Sequence, residues 1–455
     1  MTPEVFSPTA NRWQALLLAM LLPALVLTCI AGASGTRERV IHGFGSVPDA
    51  ELPQSGLIAD RDGNLYGTSA IGGSGGCANV QVAGCGTVFR LTPPVTKGAG
   101  WTETILYSFG TVSYDGINPY SGLVFDDAGN LYGTTSGGGQ FAHGTVFEVS
   151  PPATKGGAWT ETLLYSFDEP SNGGAFPTAG LIFDKKGNLY GTTALGGQFN
   201  NGVAYELSPS GTKGGSWTET VVYNFDSNGG GSPQSSLIFD GRGNLYGTAK
   251  WGGSGACSNG IEQVGCGTVF KLRPNSGGAW SESVLYSFTG GSDGAWPVAG
   301  VIFDAAGNLY GATSGGVPCV YGCGSLFKLE PKAGGRWKEK TLYVFQGNSD
   351  GANPVASLTR DEKGNLYGTA SYGGQPYYGT VFRLSPPATK GGAWTESTLH
   401  DFTGGSDGST PLSSLIFGIG KPGNAVLYGT TSSGGTGPCG GNGIPGCGTV
   451  FSVAP

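Results

Sequence analysis

The sequence predicts an all-β chain folded as a single seven-bladed β-propeller, four strands per blade, and three observations predict it. One phrase recurs seven times: an apolar triplet, an acid, two free residues, then Gly-Asn-Leu-Tyr-Gly-Thr with small departures. Its tyrosines are Tyr66, Tyr132, Tyr190, Tyr246, Tyr310, Tyr367 and Tyr428, 56 to 66 residues apart, the spacing of large blades or similar arrays. Beyond the first 35 residues no long helical period is visible, and short strand-like runs alternate with Gly, Pro, Asn and Asp clusters. The two ends of the chain also complement each other. A degraded copy of the fourth strand, Glu38 to Phe44, precedes the first unit, and the last unit stops after its third strand at Val453.

Within a unit the four strands come in constant order. In the first copy Leu57-Ile58-Ala59 is apolar on successive residues, as expected of an inner strand covered on both faces. Leu65-Tyr66-Gly67-Thr68-Ser69 follows across a tight turn, and Thr87-Val88-Phe89-Arg90-Leu91 follows a Gly-rich loop. The run from Trp101 to Phe109 alternates and carries Thr102, Glu103 and Thr104, the polar pattern expected of an outer edge. A gradient from buried to polar over four strands is what a blade requires. The N-terminal copy, 38–44, is then expected to supply the outer strand of the blade formed by 413–453, closing the ring.

Composition narrows the function. Gly contributes 87 of 455 residues without a three-residue period, which excludes collagen. Net charge is −7 with no basic tract, so a nucleic-acid partner is not expected. The one long apolar run, Ala15 to Ala33, follows Arg12, is broken by Pro23 and ends in Ala31-Gly32-Ala33. Residues 1–33 are therefore expected to be a secretory signal peptide and 34–455 the propeller, exported to the periplasm, the cell surface or the medium. Lipidation at Cys29 is disfavoured by Leu27-Thr28 before it. No apolar tail at the C-terminus speaks for anchoring there, and a monomer is expected.

Phe-Asp-x-x-Gly-Asn-Leu-Tyr-Gly-Thr-Thr, followed by Gly-Gly, Gly-Thr-Val-Phe-x-Leu and Trp-Thr-Glu-Thr-x-Leu-Tyr-Ser-Phe, resembles the Gloeo/Verruco tandem repeat of secreted bacterial choice-of-anchor repeat proteins. The resemblance covers residues 36–455 and implies an exported β-propeller, with no activity attached to it. The last copy departs, having Gly418-Ile419-Gly420-Lys421-Pro422-Gly423-Asn424 in place of the Asp-x-x-Gly-Asn turn.

Cysteines other than Cys29 fall in four pairs: Cys77/Cys85, Cys257/Cys266, Cys319/Cys323 and Cys439/Cys447. All lie between the second and third strands of units one, four, five and seven, while units two, three and six lack both members. Both-or-neither occupancy points to a disulfide within each loop, in keeping with export. Two thiols with no histidine or third cysteine nearby are too few for zinc, so neither metal nor cofactor is expected.

The hairpin acids Asp60, Asp126, Asp184, Asp240, Asp304 and Asp361 suit a turn better than a calcium loop, which needs several oxygen ligands. Gly72-Gly73-Ser74-Gly75-Gly76 matches a nucleophile elbow and Gly435 to Gly440 a dinucleotide fingerprint, but neither has the strand-to-helix context those motifs need. His42 and His400 occupy the outer-strand tyrosine slot and His143 a loop, which assembles neither a catalytic triad nor a metal cluster.

The variable connections are those between blades and those between second and third strands, which leave a propeller on one face. They hold Tyr114, Tyr120, Phe141, Phe176, Phe199, Trp251, Trp296, Tyr321, Tyr372, Tyr377 and Tyr378, with Asp49, Asp115, Asp293, Asp350 and Asp407 each four residues before a proline. Aromatic rings beside polar groups suit sugars or peptides. A ligand site, if present, is expected there, with Trp251, Trp296, Asp115, Asp293, Asp350 and Asp407 as contacts. The expected function is a non-enzymatic binding or scaffold module. The alternative is a carbohydrate-active hydrolase or lyase using the loop acids, which would need paired carboxylates within about 10 Å. The same acids also fit plain turn-making.

Overall fold

The computed structural model describes residues 38–77, 84–96, 98–168, 173–211, 217–316, 322–418, 426–437, 439 and 446–455. The segment expected to be a signal peptide, Cys29, Cys319, Tyr321 and most of the atypical turn after Gly418 lie outside the described residues. Seven antiparallel four-stranded sheets form the blades. Blade 1 runs from inner to outer strand as Ile58–Ala59, Leu65–Ser69, Thr87–Thr92 and Thr102–Ser108. Blades 2 to 6 repeat it, ending in outer strands Thr160–Ser166, Thr218–Asn224, Trp280–Ser287, Trp337–Val344 and Thr395–Asp401. Blade 7 takes Ile416–Phe417, Leu427–Thr431 and Thr449–Val453 from the end of the chain and Glu38–Gly43 from its start. The closing strand pairs Glu38 with Val453, Val40 with Phe451 and Gly43 with Thr449. It carries a bulge between Val40 and His42, as the outer pair of blade 1 does at Val88/Phe89.

The repeated phrase is explained by packing and by hydrogen bonds. Asp60 Oδ1 accepts the amides of Asp62 and Asn64, while Oδ2 accepts Asn64 Nδ2 at 2.7 Å and the Tyr66 hydroxyl at 2.9 Å. Asp126, Asp240 and Asp304 repeat all four bonds. At Asp240 and Asp304 burial pushes the carboxyl up, and these bonds more than offset it, leaving both below the ordinary value. The glycine after the tyrosine is required by close approach. A Cβ on Gly67 would lie 2.7 Å from the cross-strand Phe89 ring and 2.9 Å from Leu57.

Every seam between neighbouring blades is built alike. Its core is a cluster of buried residues drawn from two adjacent blades, with one such cluster for each of the seven seams, including blade 7 with blade 1. The aromatic residue after each outer strand meets the third-strand aromatic of the next blade edge-on. The pairs run from Phe109–Phe147 to Phe402–Phe451 and Phe44–Phe89, with ring centroids 4.9 to 5.1 Å apart. The phrase's threonine reaches across the seam from six blades: Thr68 to Ser121 O, Thr134 to Ala179 O, Thr192 to Ser235 O, Thr248 to Ala299 O, Thr369 to Ser413 O and Thr430 to Ser55 O. Blade 5 has Ala312 in that position.

Candidate functional site

Two connections per blade are tied together at one end of the sheets. The loop entering a blade pairs with the loop between its second and third strands, as in Glu51↔Ile71, Ile117↔Gly137, Ala175↔Leu195, Gly231↔Trp251, Ala295↔Gly315, Ala352↔Tyr372 and Ser409↔Ser433. Both classes of variable loop therefore share a face.

The Asp-Gly acids hold these loops. Asp115, only 7 % exposed, accepts the Tyr107 hydroxyl at 2.8 Å and the amides of Gly110, Thr111 and Gly116. Asp293 accepts the Tyr286 hydroxyl at 3.0 Å together with the Thr289 amide and hydroxyl. Asp350 accepts the Tyr343 hydroxyl at 2.9 Å and the Gln346 amide. Asp407 faces His400 Nε2 at 3.2 Å and accepts the Thr403 amide. In each case the donors come from the end of the preceding blade and the turn itself.

Sequence reasoning named Phe176 and Trp296 but not the feature they share, their place immediately before the proline. In all seven loops it is a non-glycine residue at positive φ, between 51° and 58°: Leu52, Asn118, Phe176, Ser232, Trp296, Asn353 and Thr410. Each is held on both sides. Asn118 N donates to Cys85 O of the preceding blade and Asn118 O accepts Ser136 N of its own; Trp296 does the same with Cys266 O and Ser314 N. The following proline seats on a glycine of the preceding blade: a Cβ on Gly86, itself at φ 106°, would lie 2.4 Å from Pro119 Cδ. Backbone strain of this kind persists only where the surroundings over-determine it. The result is one rigidly held position per blade whose side chain differs around the ring, in the order Leu, Asn, Phe, Ser, Trp, Asn, Thr.

Around these positions the face is aromatic. Tyr114, Tyr120, Phe141, Phe176, Phe199, Tyr372, Tyr377 and Tyr378 are exposed, Tyr114 and Tyr377 by more than 60 %. Trp251 is half-buried under the Lys250 ammonium, 5.5 Å from its ring centroid. Trp296 is also half-buried: its ring covers Gly315, and its Nε1 is buried without a hydrogen-bond partner. Of the two tryptophans singled out from sequence, Trp296 is thus partly a packing residue, because its backbone conformation turns the ring onto the neighbouring loop. Disulfides join Cys77–Cys85, Cys257–Cys266 and Cys439–Cys447 in the loops where they were expected. Cys323 is disulfide-bonded too. An open cleft of about 510 Å³ lies where the loop entering blade 1 meets that blade's disulfide loop, lined by Val47, Pro48, Gly73 to Cys77 and Gly84.

Each seam also holds a carboxyl pair that sequence reading took for outer-edge polarity. The outer-strand glutamates face acids of the loop entering the same blade: Glu161 with Asp115, Glu219 with Asp168, Glu282 with Asp226, Glu339 with Asp293, Glu396 with Asp350, Glu38 with Asp407 and Glu103 with Asp49. Burial first, and the facing Asp after it, push Glu38, Glu161, Glu282 and Glu396 up to about 7. Five seams add the preceding blade's tyrosine, Tyr107, Tyr165, Tyr223, Tyr286 or Tyr343, each raised by burial and by these acids. The two seams flanking blade 7 add His400 and His42 instead. Contrary to the expectation that no histidine cluster forms, His42, Asp49 and Glu103 converge, with His42 Nε2 3.0 Å from Glu103 Oε2. The strand containing His42 and the strand containing Glu103 belong to different blades, so linear spacing hides the meeting.

A model of the Gloeobacter/Verrucomicrobia repeat matches residues 53–278 and 255–442. No curated protein matches the chain in sequence. Among solved structures, a luciferin-regenerating enzyme aligns at 12 % identity and TM-score 0.38, covering 92 % of this chain and 95 % of that one. A gluconolactonase from Xanthomonas campestris aligns at 13 % and 0.39, covering 73 % and 84 %. A putative 6-phosphogluconolactonase from Bacteroides uniformis ATCC 8492 aligns at 12 % and 0.45, covering 78 % and 86 %. Likeness at that level carries no argument about activity.

Proposed function

The chain belongs to the Gloeobacter/Verrucomicrobia repeat family, and from that premise we propose that it is an exported binding propeller whose ligand surface is the face carrying the inter-blade and disulfide loops. The observation that supports this reading is the set of seven strained, doubly hydrogen-bonded positions from Leu52 to Thr410, whose side chains vary on an otherwise repeated frame. A blade needs the backbone there but not a particular side chain, so the variation is available for recognition. The exposed rings beside these positions offer flat apolar area next to backbone donors and acceptors, chemistry suited to a glycan or an extended peptide. Trp251 and Trp296 extend that surface, and Asp115, Asp293, Asp350 and Asp407 position its loops from behind. Export is supported by the disulfides; among the described residues no helix is long and apolar enough to cross a membrane.

The alternative, a carbohydrate-active hydrolase or lyase, would use loop acids as general acid and base. Those acids already accept two or more donors each from the preceding outer strand and the turns they close, which favours binding over acid–base work. Purified protein applied to a glycan array, a peptide library and a polysaccharide-cleavage panel separates the readings. Binding without cleavage is expected, weakened at least tenfold by Tyr114→Ala with Tyr377→Ala at unchanged melting temperature. Cleavage abolished by a single loop-acid substitution would establish the enzyme instead.

A further inference from the structure

We infer that His42, Asp49 and Glu103 form a binding site for one divalent transition-metal ion, of the zinc type, at the seam where the closing strand of blade 7 meets blade 1. One ligand atom from each residue lies within 4.8 Å of the other two. His42 Nε2 and Glu103 Oε2 are 3.0 Å apart, within hydrogen-bond distance of each other, and need open by only about 0.4 Å to flank a tetrahedral ion bound at about 2.1 Å. One imidazole and two carboxylates form a nitrogen and oxygen set that suits zinc. Three protein ligands leave a further position for water. The His42 and Glu103 side chains are 18 % and 12 % exposed, which leaves an entry path. The second oxygen of Glu103, Oε1, is buried without a donor, as are those of Glu38, Glu219 and Glu282 in sibling seams, so what sets this seam apart is the imidazole brought to the acid pair.

The sibling seams sharpen the case. Five of them place a tyrosine hydroxyl in the His42 slot, and a neutral phenol is a poor ligand where the imidazole is a good one. The other histidine seam provides an internal control. His400 bonds Asp407, but Glu38 does not join them within the same distance, so His400, Asp407 and Glu38 form no such group. The other three-residue group among the described residues, Glu51 with Cys439 and Cys447, is spent, because its two sulfurs are bonded to each other. The three ligands come from the closing strand, the loop that follows it and the outer strand of blade 1, so a bound ion ties the closing strand to the first blade.

The test uses the full exported chain stripped with chelator, titrated with Zn²⁺ by calorimetry and melted with and without it. The expected result is one equivalent per chain and a rise of about 4 °C at a hundredfold excess over Kd. His42→Tyr installs the residue of the five sibling seams and should keep the metal-free melting temperature while losing at least tenfold in affinity. His400→Tyr should bind as the parent does. If His42→Tyr does not fold, Asp49→Asn carries the same expectation. No saturable zinc binding by the parent, binding undiminished in the seam variant, or binding lost in His400→Tyr would overturn the assignment.

Discussion

Blade 7 and blades 1 to 6 are built from the same contacts, although only blade 7 is assembled from both ends of the chain. Its outer strand repeats the bulged antiparallel pairing of the others. Phe44 meets Phe89 at 5.1 Å as Phe109 meets Phe147 at 5.0 Å, and Thr430 bonds Ser55 O across a separation of 375 residues as Thr68 bonds Ser121 O across 53. A blade's contacts are therefore indifferent to where the chain is cut. What differs is the polar slot: the two seams that flank blade 7 carry His400 and His42 where the rest carry tyrosine. Closure relies on ordinary seam packing, with its special chemistry added at one residue per seam.

The comparison breaks most severely if the closing strand is removed. Deleting residues 36–46 takes away the outer strand, Phe44 and His42 together, and should lower the melting temperature by more than about 10 °C. A circular permutant that joins residue 455 to 38 and opens the connector at 151–157 should stay within a few degrees of the parent, since neither change touches a seam. Calorimetry on both proteins decides the matter.

A second contrast is between glycines. Gly133→Ala drives a Cβ to 2.5 Å from the Phe147 ring, whereas one on Gly241 meets nothing within 4 Å. The first should cost about 1–3 kcal/mol by denaturant unfolding and the second close to nothing. Equal costs would mean that the repeated glycine serves the turn rather than the packing.

The acid pairs set a pH dependence common to the whole ring. Glu38, Glu161, Glu282 and Glu396 have folded values near 7 against an ordinary 4.5, so the folded state holds more protons than the unfolded chain between those limits. Stability present at pH 4.5 is then lost as pH rises through 7. Melting temperature should fall from pH 5 to pH 8, and Glu161→Gln should flatten that slope by about a quarter of these four glutamates' share. A curve that rises over that interval would show the glutamates to be ionised in the fold.

The smallest expected change repairs the one seam that lacks its threonine. Ala312→Thr restores a hydroxyl facing the entry to the inner strand of blade 6 and should add about 1 kcal/mol. No gain would show that this seam is spaced differently from the other six.

Much of this architecture was legible because it repeats. The period gave the blade count, the split unit gave the closure, and the both-or-neither cysteines gave the loop disulfides. The candidate face was legible as well, since Tyr114, Phe199 and Tyr377 stand exposed where variable loops put them. The polar chemistry of the seams was not. Glu103 and His42 are 61 residues apart on different blades, and a glutamate on an outer strand reads as solvent-facing until the neighbouring loop covers it. The positive φ at Leu52, Phe176 and Trp296 was hidden because such residues give no sign of it; the available signal was the proline that follows this position in every unit, preceded by Asp-Gly-x-x in four of the seven.

The closing strand as an integral part of one ring is tested most directly by native-state hydrogen exchange. The amides of Glu38–Gly43 are to be compared with those of Thr102–Ser108, the covalently continuous outer strand of blade 1. Protection of the paired amides to the same free energy, both strands opening with the ring, is the expected result. A closing strand that exchanges at least a hundredfold faster than its counterpart, about 2.7 kcal/mol less protected, would contradict it.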